Sequence, residues 1–202
     1  MSKFKNESMK VYLTVKVIEK PVFVGKTAEG DNLLRVVVQY RGQRSRKSKI
    51  NLVYSSGIGT DFALNAFYNI NADIRTRLQY DENARKYSDI YLYLIDAEKL
   101  VDEPDAEDWY NRVKFENLKL ACTPYMRKAY NDENADVCML TLKRRKTSSV
   151  NYFYPMQGWY SIAKEMGSHA NGDILKGFGN LQGRYVENNG VYKTEINISK
   201  FA

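Results

Sequence analysis

The side chains best equipped for chemistry in this sequence are cations and flat rings, and they fall together twice. Residues 32–60 contain no Asp or Glu but hold Arg35, Arg41, Arg44, Arg46, Lys47 and Lys49, with Tyr40 and Tyr54 among them. Residues 137–164 are also free of acids and carry Lys143, Arg144, Arg145, Lys146 and Lys164 beside Tyr152, Phe153, Tyr154 and Trp159. Cations of this kind neutralise phosphates, and exposed rings stack on unpaired bases at about 1–3 kcal/mol each. One basic loop is equally well explained as a solvated turn, whereas two at matching places favour a polyanionic partner. The rings keep two readings. Strand alternation sets Tyr40 on the face of Leu34, Val36 and Val38, so each tyrosine is either a stacking platform or a core residue.

Further along, Arg75 and Arg77 alternate with Ile74, Thr76 and Leu78, and Lys176 and Arg184 alternate with Leu175 and Leu181. These polar faces are expected to extend the groove. Other chemistries find little support. Asp96, Glu98, Asp102, Glu103, Asp105, Glu107 and Asp108 fall in one stretch, whereas two-metal sites gather acids from separate strands around a cavity. With Pro104 in their midst they read as a solvated linker. Cys122 and Cys138 lack a partner motif and read as buried thiols, and the single histidine, His169, gives too few ligands for zinc. No phosphate-binding glycine loop and no G-x-S-x-G occurs. The expectation is a binding protein and not an enzyme, with no cofactor and no metal.

The chain totals agree. It has 202 residues, a net charge of +7, 44% hydrophobic and 27% charged residues and sixteen tyrosines, which suits a globular base binder. No apolar run approaches the roughly 18 residues of a membrane span, and the opening MSKFKNESMK is no secretory signal. A cytoplasmic protein without membrane contact is expected.

The elements that must position these residues recur. Residues 10–18 (KVYLTVKVI) and 112–120 (RVKFENLKL) alternate in the β manner about a hundred residues apart. Second strands are expected at 33–40 and 137–143, and third strands at 49–54 and 149–154. Helical segments at 61–68 and 159–166 follow, then fourth strands opening at Asp73-Ile74 and Asp173-Ile174. Fifth strands at 87–95 and 191–198 come after turns at 81–83 and 187–190. Three strands, a helix and a hairpin, twice over, is the order of two tandem five-stranded Greek-key barrels of the OB type in an all-β chain. The expected division is 9–100, an acidic linker at 101–110, and 111–202. In such a barrel the second and third strands and their loop form the binding face.

The segments GNLQGRY (179–185) and NGVYKTEI (189–196) resemble the closing hairpin of bacterial and phage single-stranded-DNA-binding proteins. Residues 153–166 with Gly172-Asp173 resemble that family's third strand, helix and following turn. The resemblance implies cooperative, sequence-tolerant coating of single strands in replication or recombination, with Arg184 and Trp159 in the groove. Family members typically carry one barrel per chain and an acidic tip. Here the sequence ends at SKFA on the last strand, so recruitment through such a tip is not expected, and a phage or mobile-element origin is. Two barrels per chain would function as a monomer or as a homodimer presenting four. Alternatives are an architectural protein for RNA or duplex DNA, and a phage structural or assembly protein.

Overall fold

The computed structural model describes residues 6–42, 46–80, 84, 86–130, 132–147, 149–186 and 191–202, with the backbone alone at 86, 184–186 and 191–192. The first half contains β1 (Ser8–Val17), β2 (Val22–Lys26), β3 (Asn32–Arg41), β4 (Lys47–Ser55), β5 (Phe67–Tyr80) and β6 (Lys86–Lys99). The second contains β7 (Asn111–Leu120), β8 (Tyr125–Ala129), β9 (Asp132–Arg145), β10 (Asn151–Trp159), α1 (Ser161–Gly167), β11 (Ile174–Val186) and β12 (Val191–Phe201).

Each half closes on itself. β1 pairs with β3 and β5, β3 with β4, β5 with β6, and β4 runs parallel to β6 to shut the ring. β7, β9, β10, β12 and β11 repeat the circuit, with β10 parallel to β12. Period-two burial drives the closure: Met9, Val11, Leu13, Val15 and Val17 all turn inward from β1. Pro155 is accommodated in β10 because pairing with β12 begins only at Met156, so its missing N–H breaks no ladder bond there.

Several expectations are corrected. No helix forms at 61–68. A short 3-10 turn over Ser56–Ile58, closed by Gly59 at φ 75°, leads to a plug in which Phe62 lies buried 4.9 Å from Tyr54 and 4.7 Å from Tyr68. Tyr68 already belongs to β5, which starts at Phe67 and not at Asp73. In the second half α1 occupies the plug position with Ala163 and Met166 buried, and Trp159 ends the third strand instead of opening the helix. β2 and β8 are additional short edge strands that hairpin onto β3 and β9. Asp96 and Glu98 are β6 residues, and the connection proper is residues 100–110. The turns expected at 81–83 and 187–190 lie outside the described residues. Cys138 is buried, but Cys122 is exposed.

The rings are joined by their first strands. β1 and β7 pair antiparallel with Val11 opposite Val113, flanked by Lys10 opposite Lys114 and Tyr12 opposite Arg112. Val11 and Val113 are equivalent positions of the repeat, so the pairing is isologous about a pseudo-two-fold axis through them. One continuous core runs through both rings. On one side of the axis Tyr154 Oη donates to Ile74 O (3.0 Å) and Phe153 N to Thr76 Oγ1 (3.2 Å). On the other, Asn111 donates to Arg41 O and Leu181 O, both at 2.8 Å, and accepts from Leu181 N. Gly183 is obligatory there, since a Cβ would come within 2.5 Å of Ser48 Oγ.

Candidate nucleic-acid interface

Alternation that turns Val36, Val38, Ile50, Leu52, Leu92 and Leu94 inward must turn their neighbours outward. The outer wall of the first barrel therefore reads Arg35 beside Val53, Val53 beside Tyr93 and Tyr93 beside Asp73 across four strands. The adjacent rows set Arg75 beside Tyr91 and Arg77 beside Asp89. The guanidinium of Arg75 lies 3.6 Å from the centre of the Tyr93 ring and binds Asp73 at 3.0 Å. Arg77 pairs with Asp89 at 2.9 Å. Arg35, Asn51, Val53, Arg77 and Tyr91 line a depression of about 160 Å³. Burial raises the Tyr91 hydroxyl pKa above its ordinary value, with Tyr152 adding to the rise and Arg75 and Lys146 opposing it. At ordinary pH this ring is neutral and does not repel a phosphate.

The remaining sequence-derived candidates of this half divide. Arg46, Lys47 and Lys49 are exposed, with Lys49 on the outer wall opposite Gln39. Arg44 lies outside the described residues. Arg41 is half-buried with its guanidinium 4.7 Å over the ring of Trp109, so the connection between the barrels holds it. Tyr40 (0% exposed) and Tyr54 (2%) point into the core and present no ring face to a base. Their role is packing, as the alternation with Val36 and Val38 allows.

In the second barrel Lys143 stands beside Phe153 on the outer wall, and Phe153 is 43% exposed. Arg145 and Lys146 are exposed, with Lys146 Nζ 5.3 Å over the ring of Tyr152. Trp159 is 39% exposed at the end of β10, and Lys176 is exposed on β11. Arg184 is described by its backbone, which pairs with Lys193. Three candidates are corrected. Arg144 is only 9% exposed, and its guanidinium forks onto both oxygens of Asp73 in the first barrel, one contact at 2.8 Å. Burial is the largest influence and opposes its charge, but the Asp73 hydrogen bond together with the charges of Tyr154, Asp73 and Tyr152 outweighs it and raises its pKa above the ordinary value. It ties the barrels together and is not a phosphate ligand. Tyr152 and Tyr154 are buried in the same seam, where Arg144 lies 5.0 and 5.8 Å from their ring centres.

The outward rings of β6, Tyr87, Tyr91 and Tyr93, were not among the sequence candidates. Their alternation with Ile90, Leu92 and Leu94 marks them as outer-face residues, and that signal was available in the sequence.

Two closed rings with strand order one-two-three-five-four-one, the third and fifth parallel, define a tandem OB-fold protein. Two solved structures superpose on nearly the whole chain. The wild-type single-stranded DNA binding protein from Thermus aquaticus superposes with a TM-score of 0.72 at 16% identity, covering 98% of this chain and 93% of that one. A deletion variant of the same protein gives a TM-score of 0.70 at 14% identity, covering 97% and 94%. The chain thus has the tandem OB architecture of that single-stranded-DNA-binding protein, as the closing-hairpin resemblance implies for the fold. No protein-family model matches the sequence, and no curated protein matches it significantly. No helix is long and apolar enough to cross a membrane among the described residues.

Proposed function

We propose that the chain binds single-stranded DNA largely without sequence preference, with residues 9–100 and 111–202 as its two binding domains and 101–110 as their connection. The carrying observation is the outer wall of the first barrel, where the exposed Arg35 and the Tyr91 ring line one depression. Rings for bases beside cations for phosphates is what an unpaired strand needs, and a duplex hides the base faces such rings require. The ligand in the name of the Thermus aquaticus protein supports the same choice. Lys47, Lys49, Lys143, Lys146 and Lys176 would extend the contact along the backbone, and Phe153 and Trp159 would add stacking in the second barrel. The protein then coats and protects strands exposed in replication or recombination and catalyses nothing itself. With both barrels engaged, one chain would cover roughly twice the 4–16 nucleotides typical of one OB-fold.

A titration with single-stranded DNA, single-stranded RNA and duplex DNA of equal length tests this. Tight binding of oligo(dT) with quenched tryptophan emission and much weaker duplex binding is expected. Equal affinity for duplex and single strand would overturn it.

A further inference from the structure

The depression on the first barrel has a counterpart at the same register positions of the second. Val53 pairs with Arg35 on β3 and with Tyr93 on β6. Gln157 pairs with Met139 on β9 and with Asn197 on β12. Gln157 therefore takes the place of Val53, Met139 that of Arg35 and, two residues back, Pro155 that of Asn51. The two copies have diverged in content. Where the first barrel has an arginine-lined depression of about 160 Å³, the second has a cavity of about 450 Å³.

Both barrels build this cavity. Tyr125, next to β9 on β8, forms one wall, and Tyr87 reaches in from β6 of the first barrel. Lys193 Nζ lies 4.5 Å from the centre of the Tyr87 ring, which fixes the ring and sets a cation beside the cavity. Tyr125 and Met139 are exposed although both are large and apolar, so this surface carries an uncovered apolar area.

We propose that the cavity seats one unpaired nucleobase of the bound strand, while the narrower depression on the first barrel holds phosphate. This rests on the single-stranded-DNA reading above. The shape and chemistry select the occupant. Two tyrosine rings, two thioethers and a proline form flat, weakly hydrated walls for a planar solute. The Thr141 hydroxyl and the Gln157 amide, which donates to Glu195 at 2.8 Å, also line the space and give it a polar side that matches the polar edge of a base. The site lies on the same outer wall as Lys143 and Phe153, so a strand tracking those residues passes its mouth. The duplication has divided the work: charge dominates in one barrel, enclosure of a base in the other.

Cys122 lines the cavity and is exposed, whereas Cys138 is buried, so thiol alkylation of the full chain reports on this space. The measurement is the maleimide alkylation rate of Cys122 with saturating oligo(dT) and with a saturating abasic strand of equal length, saturation being checked by fluorescence anisotropy. Oligo(dT) is expected to slow Cys122 about tenfold, the size of one stacked base, while the bound abasic strand leaves the rate unchanged. Met139→Arg, which gives the second barrel the side chain of Arg35, is expected to abolish that protection while the strand still binds. Bound oligo(dT) without protection, equal protection by the abasic strand, or full protection in Met139→Arg would each overturn the base seat and leave single-strand binding standing. An absence of saturable oligo(dT) binding would overturn both.

Discussion

Arg144 of the second barrel grips both carboxylate oxygens of Asp73 in the first, and Arg75 holds the same carboxylate from its own strand. Only 11% of the Arg144 side chain and 18% of the Asp73 side chain are exposed, so neither charge has water to fall back on. Removing Asp73 leaves Arg144 buried and unpaired, which costs about 3 kcal/mol or more, whereas removing Arg144 leaves Asp73 to Arg75. Asp73→Leu is therefore expected to lower the urea midpoint strongly, and Asp73→Leu with Arg144→Met to cost less than Asp73→Leu alone. A single variant that loses under about 1 kcal/mol would show that the pair does not hold the seam.

Tyr40 and Tyr154 predict an alkaline limit to stability. Burial is the largest cause in each, and it pushes both hydroxyls well above the ordinary tyrosine value of 10.0. Above pH 10 the unfolded chain releases these protons and the folded chain keeps them, so folding binds more protons and stability falls as pH rises. The contribution is fully present below pH 10 and is lost at about 1.4 kcal/mol per pH unit for each group. Urea midpoints at pH 9 and pH 11 should show the fall, and Tyr154→Phe should reduce its steepness by the share of one group. A midpoint that does not change between pH 9 and pH 11 would refute the burial of these hydroxyls.

How far the sequence discloses this molecule depends on whether a contact is periodic or tertiary. The inward set Met9, Val11, Leu13, Val15 and Val17 and its counterpart Val113 and Phe115 are legible because burial follows a period of two, and the repeat then gives the barrel order. β2 and β8 are five residues each, too short to carry a pattern, and Gly25 interrupts the first of them. At 61–68 the local composition suits a helix, but Phe62 and Tyr68 are claimed by the barrel floor, and Asn65 adopts φ 65°. The site was legible in its charges and misplaced in its rings. Tyr40, Tyr54, Tyr152 and Tyr154 adjoin the basic tracts but fall on inward positions, while Tyr91 and Tyr93 fall outside those tracts, near Asp89. Arg144 follows Leu140 and Leu142 at a period of two, which marks it as inward-facing. Nothing local announces that Asp73, 71 positions away, receives it.

The exposed cations of the first barrel should set the salt dependence of binding. Arg35, Lys47 and Lys49 are exposed on adjacent strands. Replacing all three with alanine removes about three phosphate contacts and should lower the slope of log affinity against log salt by about 2 on single strands, with little change in the urea midpoint. An unchanged slope would exclude this wall from the phosphate track.

Tyr160 combines a strained backbone with an exposed ring beside Trp159. At φ 55° and ψ −121° it occupies a conformation that glycine adopts freely and a side chain resists, at a cost of roughly 1–3 kcal/mol. Its N–H donates to Asp136 O at 2.8 Å, which pins the turn between β10 and α1 in this shape. The ring is 57% exposed beside Trp159, so packing does not explain its retention. Tyr160→Gly relieves the backbone and removes the ring, while Tyr160→Ala removes the ring and keeps a Cβ in the strained position. Thermal unfolding should place the glycine variant above the wild type and the alanine variant, by about 1 kcal/mol or more. If the ring meets the bound strand, both variants should weaken oligo(dT) binding equally, by about 1 kcal/mol or more. Equal stability of the glycine and alanine variants would mean the turn relaxes without strain, and unchanged binding in both would place Tyr160 off the path of the strand.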